Sequence, residues 1–72
     1  MPFEEALKHI KNGHKVARNG WNGKGMWAAL QRPDSLSKMT LPYIYMKSAT
    51  GGYGPWTPTQ CDIMADDWVI VD

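Results

Sequence analysis

The chain contains one cysteine and no apolar run near the ~20 residues needed to cross a bilayer. With Cys61 alone, no internal disulfide can form. His9, His14 and Cys61 lack paired spacing of the C-x-x-C or H-x-x-x-H kind, so neither a metal site nor a cofactor is expected. The net charge of +1 gives no bulk bias toward nucleic acid or membrane. Basic residues are spread from Lys8 to Lys47, whereas acidic ones gather late, at Asp62, Asp66, Asp67 and Asp72. The opening Met1-Pro2-Phe3-Glu4-Glu5 lacks the basic start and apolar centre of a secretory signal. Together with the unpaired cysteine, this points to a reducing cytoplasm and no membrane partner.

Catalytic groupings are equally scarce. A nucleophile needs a base beside it and a third group to orient that base. Cys61 lies in an apolar helical pattern and reads as a small core residue. His9 and His14 flank a helix end, where a solvated cation is ordinary. Asp66 and Asp67 are adjacent and diverge, as on a solvated face. Catalysis is not expected.

Seventy-two residues allow one domain, 1–72. A chain this short buries only roughly 60% of its unfolded surface, which leaves its core marginal. Four tryptophans and five methionines would then be covered by oligomerisation, and a homo-oligomer is expected.

Phe3, Ala6, Leu7 and Ile10 recur at the spacing of one apolar helical face. Glu4 and Glu5 open that helix, Lys8, His9 and Lys11 close it, and Gly13 stops it. From Lys15 the period shortens to two, with Val16 and Arg18 on one face of a strand and Lys15 and Ala17 on the other. Met26 to Gln31 and Tyr43 to Lys47 read as further strands, separated by a loop from Arg32 to Pro42. Thr50 to Pro55 reads as a second glycine-rich turn. Thr59 is placed to cap a helix over Gln60 to Asp66, with Asp62 answering it. That helix would bury Cys61 or Met64 together with Ile63, and Trp68 to Val71 would close the sheet. The expected fold is α+β: an N-terminal amphipathic helix on a small antiparallel sheet, with a short second helix.

Binding is better supported than chemistry. Arg18-Asn19-Gly20-Trp21-Asn22-Gly23-Lys24-Gly25-Met26-Trp27 sets two tryptophans, a lysine and three glycines in ten residues. Glycine leaves backbone amides approachable, an indole offers a stacking face, and a lysine meets a phosphate. The aromatic residues Trp21, Trp27, Tyr43, Tyr45, Tyr53, Trp56 and Trp68 are interleaved with Arg18, Lys24 and Lys47. Stacking contributes about 1–3 kcal/mol per base. Trp68 reads as core, and either Tyr43 or Tyr45 as a residue packed between subunits. Asn22, Thr57, Thr59 and Gln60 supply polar edges for a base or ribose. A long nucleic acid would need a continuous basic groove, which the charge balance argues against. A compact phosphate-bearing ligand needs only two or three cations.

Four blocks carry a resemblance: Arg18-x-Gly-Trp-Asn-Gly-Lys-Gly-Met26, Pro42-Tyr-Ile-x-Met-Lys47, Pro55-Trp-x-Pro-Thr-Gln-x-Asp62 and Ala65-Asp-Asp-Trp68. In this order and spacing the chain resembles a family of small phage proteins that counter the bacterial Thoeris defence, the second type of Thoeris anti-defence protein. The resemblance implies a sponge that binds glycocyclic ADP-ribose signals in the host bacterial cytoplasm without cleaving them. It also implies a tetramer built as a dimer of dimers, with pockets where subunits meet. Some members capture cyclic di- or trinucleotides as well. On the matching blocks, Trp21 and Trp56 would stack on purine or ribose. Asn22 and Gln60 would bond polar edges, and Arg18 and Lys24 would meet the diphosphate. Thr59 keeps the hydroxyl of the serine that is common in similar proteins, and Asp62 is either the cap partner or an acceptor for ribose hydroxyls. With Gly25 and Trp27, these residues make up the expected ligand site. Two other classes compete with a sponge: an enzyme degrading the same signal, and a module binding nucleic acid or protein.

Overall fold

The computed structural model describes residues 1–22 and 24–72; Gly23, part of the glycine-rich segment, lies outside the described residues. Helix α1 (Phe3–Lys11) is followed by strands β1 (Val16–Arg18), β2 (Trp27–Gln31), β3 (Tyr43–Lys47) and β4 (Tyr53–Pro55). A short helix α2 (Gln60–Met64) then leads into β5 (Trp68–Ile70). The strands form one antiparallel sheet in the order β4-β3-β2-β1-β5. This is the expected α+β arrangement. Among the described residues no helix is long and apolar enough to cross a membrane.

The sheet's register divides its side chains into two faces. Val16 lies opposite Ala28 and Ile70, and Ala28 lies opposite Met46. These residues line the inner face, which α1 covers with Ala6 and Ile10. Ala6, Ile10, Val16, Ala28 and Trp68 form the fully buried centre. The core therefore stands on small residues of β1 and β2 with one large indole wedged between helix and sheet. Phe3 tilts against Trp68 at 5.4 Å between ring centroids, closing the space under the first turn of α1. The terminal amine donates to the main-chain oxygens of Trp68 (2.8 Å) and Asp66 (3.1 Å). The Trp68 amide in turn donates to the Met1 carbonyl, so the start of the chain shields the β5 edge.

Two local expectations change. Tyr53–Pro55 is an edge strand, its Tyr53 opposite Lys47 and Pro55 opposite Tyr45. The reversal needs only Ser48 to Gly52: Gly51 takes φ +96°, and Ser48 Oγ accepts from the Gly52 amide. Glycine and proline are tolerated in β4 because one of its sides is unpaired. Helix α2 ends at Met64 rather than Asp66, and its inward residue is not the apolar one that its pattern suggests. Cys61, Ile63 and Met64 are exposed, and the buried residue is Asp62. A carboxylate wins that place because four donors converge on it, as described next.

Candidate ligand-binding site

Thr59 caps α2 as expected. Its hydroxyl accepts from the Asp62 amide, and the Asp62 carboxylate accepts from the Thr59 amide (3.0 Å) and hydroxyl (2.9 Å). The capping box occupies only Asp62 Oδ2. Oδ1 accepts from Arg18 Nη1 (2.9 Å) and Trp21 Nε1 (3.2 Å). The Asp62 main-chain oxygen takes the Trp68 indole N–H at 3.0 Å. Every polar atom of this carboxylate thus faces a donor. Burial pushes the Asp62 pKa up, but the bonds from Thr59, Arg18 and Trp21 outweigh it and hold the carboxyl below its ordinary range.

Arg18 reaches this corner because it follows Val16 on the inner face of β1, one step beyond the apolar core. Its Nε donates to Asp67 Oδ1 at 2.8 Å, and those two carboxylates raise its pKa, Asp67 first. The Arg18 bond in turn lowers the Asp67 pKa, assisted by the Gly20 amide on Oδ2 at 2.8 Å. Asp67, expected on a solvated face with Asp66, is instead a structural anion. The missed signal was an arginine closing an otherwise apolar strand face. Such a group needs an anion close by.

Trp21 leaves the β1–β2 connection and meets Trp68 edge-on at 5.3 Å and Trp56 edge-on at 5.7 Å. Trp56 also meets Trp68, at 6.1 Å. The three indoles form a cluster whose buried member is Trp68 and whose half-buried members are Trp21 and Trp56. Trp21, Trp56, Arg18, Thr59 and Asp62 are therefore brought together at one corner. Asn22, Lys24 and Gly25 lie on the exposed connection leaving it, and Gln60 is exposed on the first turn of α2.

Trp27 is separated from this group. It alternates with Ala28 and so points to the outer face, where Lys15 Nζ sits 4.6 Å from its ring centroid. Tyr45 and Tyr53 pack around it at 5.6 and 6.1 Å. With Gln31, Tyr43 and Pro55 these residues line an open concavity of about 540 Å³. Lys47, on the same face, donates to the Gly25 carbonyl. A second concavity of about 520 Å³ is mainly apolar, lined by Met39, Leu41, Pro42, Ile44, Pro55 and Trp56 among others. Trp56 thus joins the indole corner to the apolar groove.

Chemically, the corner offers stacking faces with polar edges and one internally neutralised arginine. Asp62 and Asp67 are committed as acceptors, and neither His9 nor His14 belongs to the cluster. His14 Nδ1 instead meets Asp72 at 2.7 Å. Comparison with known proteins fits a chain organised around these blocks. Residues 1–71 match the family model described as the Thoeris anti-defense 2-like domain. The chain is 37% identical, over an alignment 84 positions long, to Thoeris anti-defense 2 of Bacillus phage SP01, with 99% of this chain and 94% of that protein covered.

Proposed function

Because the chain belongs to the Thoeris anti-defense 2-like family, we propose that it counters Thoeris defence as a sponge. In this reading it binds a cyclic nucleotide signal of the glycocyclic ADP-ribose kind and holds it unchanged in the host bacterial cytoplasm. The observation that carries the proposal is the extent of the match, which spans the whole domain rather than one motif.

The ligand would sit at the indole corner. Trp21 and Trp56 would stack on purine or ribose, with Asn22, Thr59 and Gln60 at polar edges and Lys24 and the Gly25 segment toward the diphosphate. Arg18 and Asp62 would serve the site from behind, since their polar atoms already meet Asp67, Trp21 and Thr59. Trp27 faces away from this corner and would take part only through a separate contact.

The protomer's open surface supports a homo-oligomer, which we read as a dimer of dimers. Leu36 is 91% exposed and Leu41 75%, and Met39 beside them is also exposed. Met39 and Leu41 border the groove containing Trp56, so a second subunit would cover apolar surface and enclose the ligand together. Enclosure slows ligand release, which is what a sponge needs. Calorimetric titration with glycocyclic ADP-ribose tests the proposal. Saturable binding that Trp56→Ala weakens by about 5- to 150-fold is expected, given about 1–3 kcal/mol per stacked base. No heat with this compound or with cyclic dinucleotides would overturn it.

A further inference from the structure

The β1–β2 connection starts with a turn whose polar groups are gripped by a single residue from elsewhere in the chain. Asp67 stands just before β5, and its side chain takes Arg18 Nε on Oδ1 and the Gly20 amide on Oδ2, both at 2.8 Å. Its main-chain oxygen takes the Asn19 amide at 3.1 Å. The Trp21 amide then closes the turn on the Arg18 carbonyl at 3.2 Å. Three consecutive residues, Arg18 to Gly20, are thus tied to one aspartate directly before the indole that the site uses.

The fit is close. A Cβ added at Gly20 would stand 2.9 Å from Asp67 Oδ2 and 3.5 Å from Arg18 Nη2. The first distance is shorter than real Cβ contacts, so a methyl there would make the Asp67 carboxylate shift, and no positive φ favours the glycine. The sequence's Arg-x-Gly-Trp and Asp-Asp-Trp blocks therefore meet as one device.

We infer that Asp67 is a positioning residue for the ligand site: through the Gly20 amide and Arg18 it fixes the stance from which Trp21, Asn22 and Lys24 reach the ligand. It touches no ligand itself. The inference rests on the site reading above. Trp21 is held twice, by the Asp67 grip on its backbone and by Asp62 and Trp68 on its ring. Releasing the first leaves the ring docked while the connection beyond it loosens. The expected signature is a ligand that leaves sooner, with little change in the number of sites.

The test compares wild type, Asp67→Ala, Gly20→Ala and the double variant by the dissociation rate of glycocyclic ADP-ribose from the folded protein. Stoichiometry is measured alongside, because a merely structural loss lowers the number of sites instead. Asp67→Ala should speed dissociation about tenfold, the scale of losing charge-assisted hydrogen bonds. Gly20→Ala should act in the same direction and more weakly, since its methyl makes the carboxylate shift and lengthens its bond to the amide while both charges remain. The double variant should release ligand no faster than the worse single, because the two changes break one grip. If Asp67→Ala does not fold, Gly20→Ala alone carries the test. Unchanged dissociation in folded variants, or strictly multiplicative effects, would overturn the inference. Absence of binding by the wild type would overturn the site reading and this inference with it.

Discussion

Replacing Asp62 by asparagine changes one oxygen to an NH₂ group and almost nothing in volume, so it isolates the chemistry of the buried carboxylate. In the structure Oδ1 accepts from Arg18 Nη1 and Trp21 Nε1, and Oδ2 accepts from the Thr59 amide and hydroxyl. An asparagine can turn its oxygen toward only one of these pairs, and its NH₂ then faces either the Arg18 and Trp21 N–H groups or the Thr59 amide, beside a hydroxyl that can turn and accept. Turned toward Arg18 and Trp21, it breaks the capping box, which costs about 1 kcal/mol before any repulsion. Turned toward Thr59, it leaves one arm of Arg18 and the half-buried Trp21 indole without this acceptor, the indole alone at about 1–3 kcal/mol. The loss therefore comes to about 1–3 kcal/mol, depending on which way the amide turns. A domain of this length holds only about 4–11 kcal/mol at 0.05–0.15 kcal/mol per residue. The melting temperature should therefore fall by about 4–24 °C, at about 4–8 °C per kcal/mol for this size. Differential scanning calorimetry or urea denaturation of Asp62→Asn beside wild type reads the effect. A variant within about 0.5 kcal/mol of wild type would refute the claim that the bonds to this carboxylate hold the corner together.

Trp68 is fully buried, bonds the Asp62 carbonyl and touches Phe3, Trp21 and Trp56. Trp68→Ala should cost about 3–5 kcal/mol and leave little cooperative unfolding visible by circular dichroism. Acid should weaken the fold in a definite window. The folded pKa values of Asp62 and Asp67 lie below those of the unfolded chain, about 3.9, so their contribution is complete above that value. It is lost as pH falls through the depressed values. The urea midpoint should accordingly hold from pH 7 to about 5 and then drop, less steeply in Asp62→Asn. Leu36→Asp with Leu41→Asp alters exposed side chains only, so the helix and sheet signal should persist while light scattering reports a smaller assembly.

Much of this architecture was legible because its elements obey local rules. The α1 spacing, the alternation in β3 and the Thr59–Asp62 cap each follow from residues a few positions apart, and each stands where expected. Long-range pairing of polar groups was not legible. Nothing within α2 shows that its inward residue is charged, because the reason lies on β1 and on the connection that follows it, 44 residues away at Arg18 and 41 at Trp21. Asp67 was obscured in the same way, since next to Asp66 it resembles one more surface acid. The site residues showed a related division. Glycine-rich proximity in sequence suggested that Trp21 and Trp27 act together, yet Trp27 begins β2 on its outer face while Trp21 turns inward to Trp68. Strand alternation, not spacing in the segment, decides which indoles meet.

Capture without chemistry is distinguished from degradation by the state of the ligand after release. The purified protein is mixed with glycocyclic ADP-ribose, freed of unbound compound, denatured by heat, and the released material is chromatographed. A sponge returns intact nucleotide, recovered in proportion to the protein. Altered nucleotide, or none retained, would contradict the proposed function.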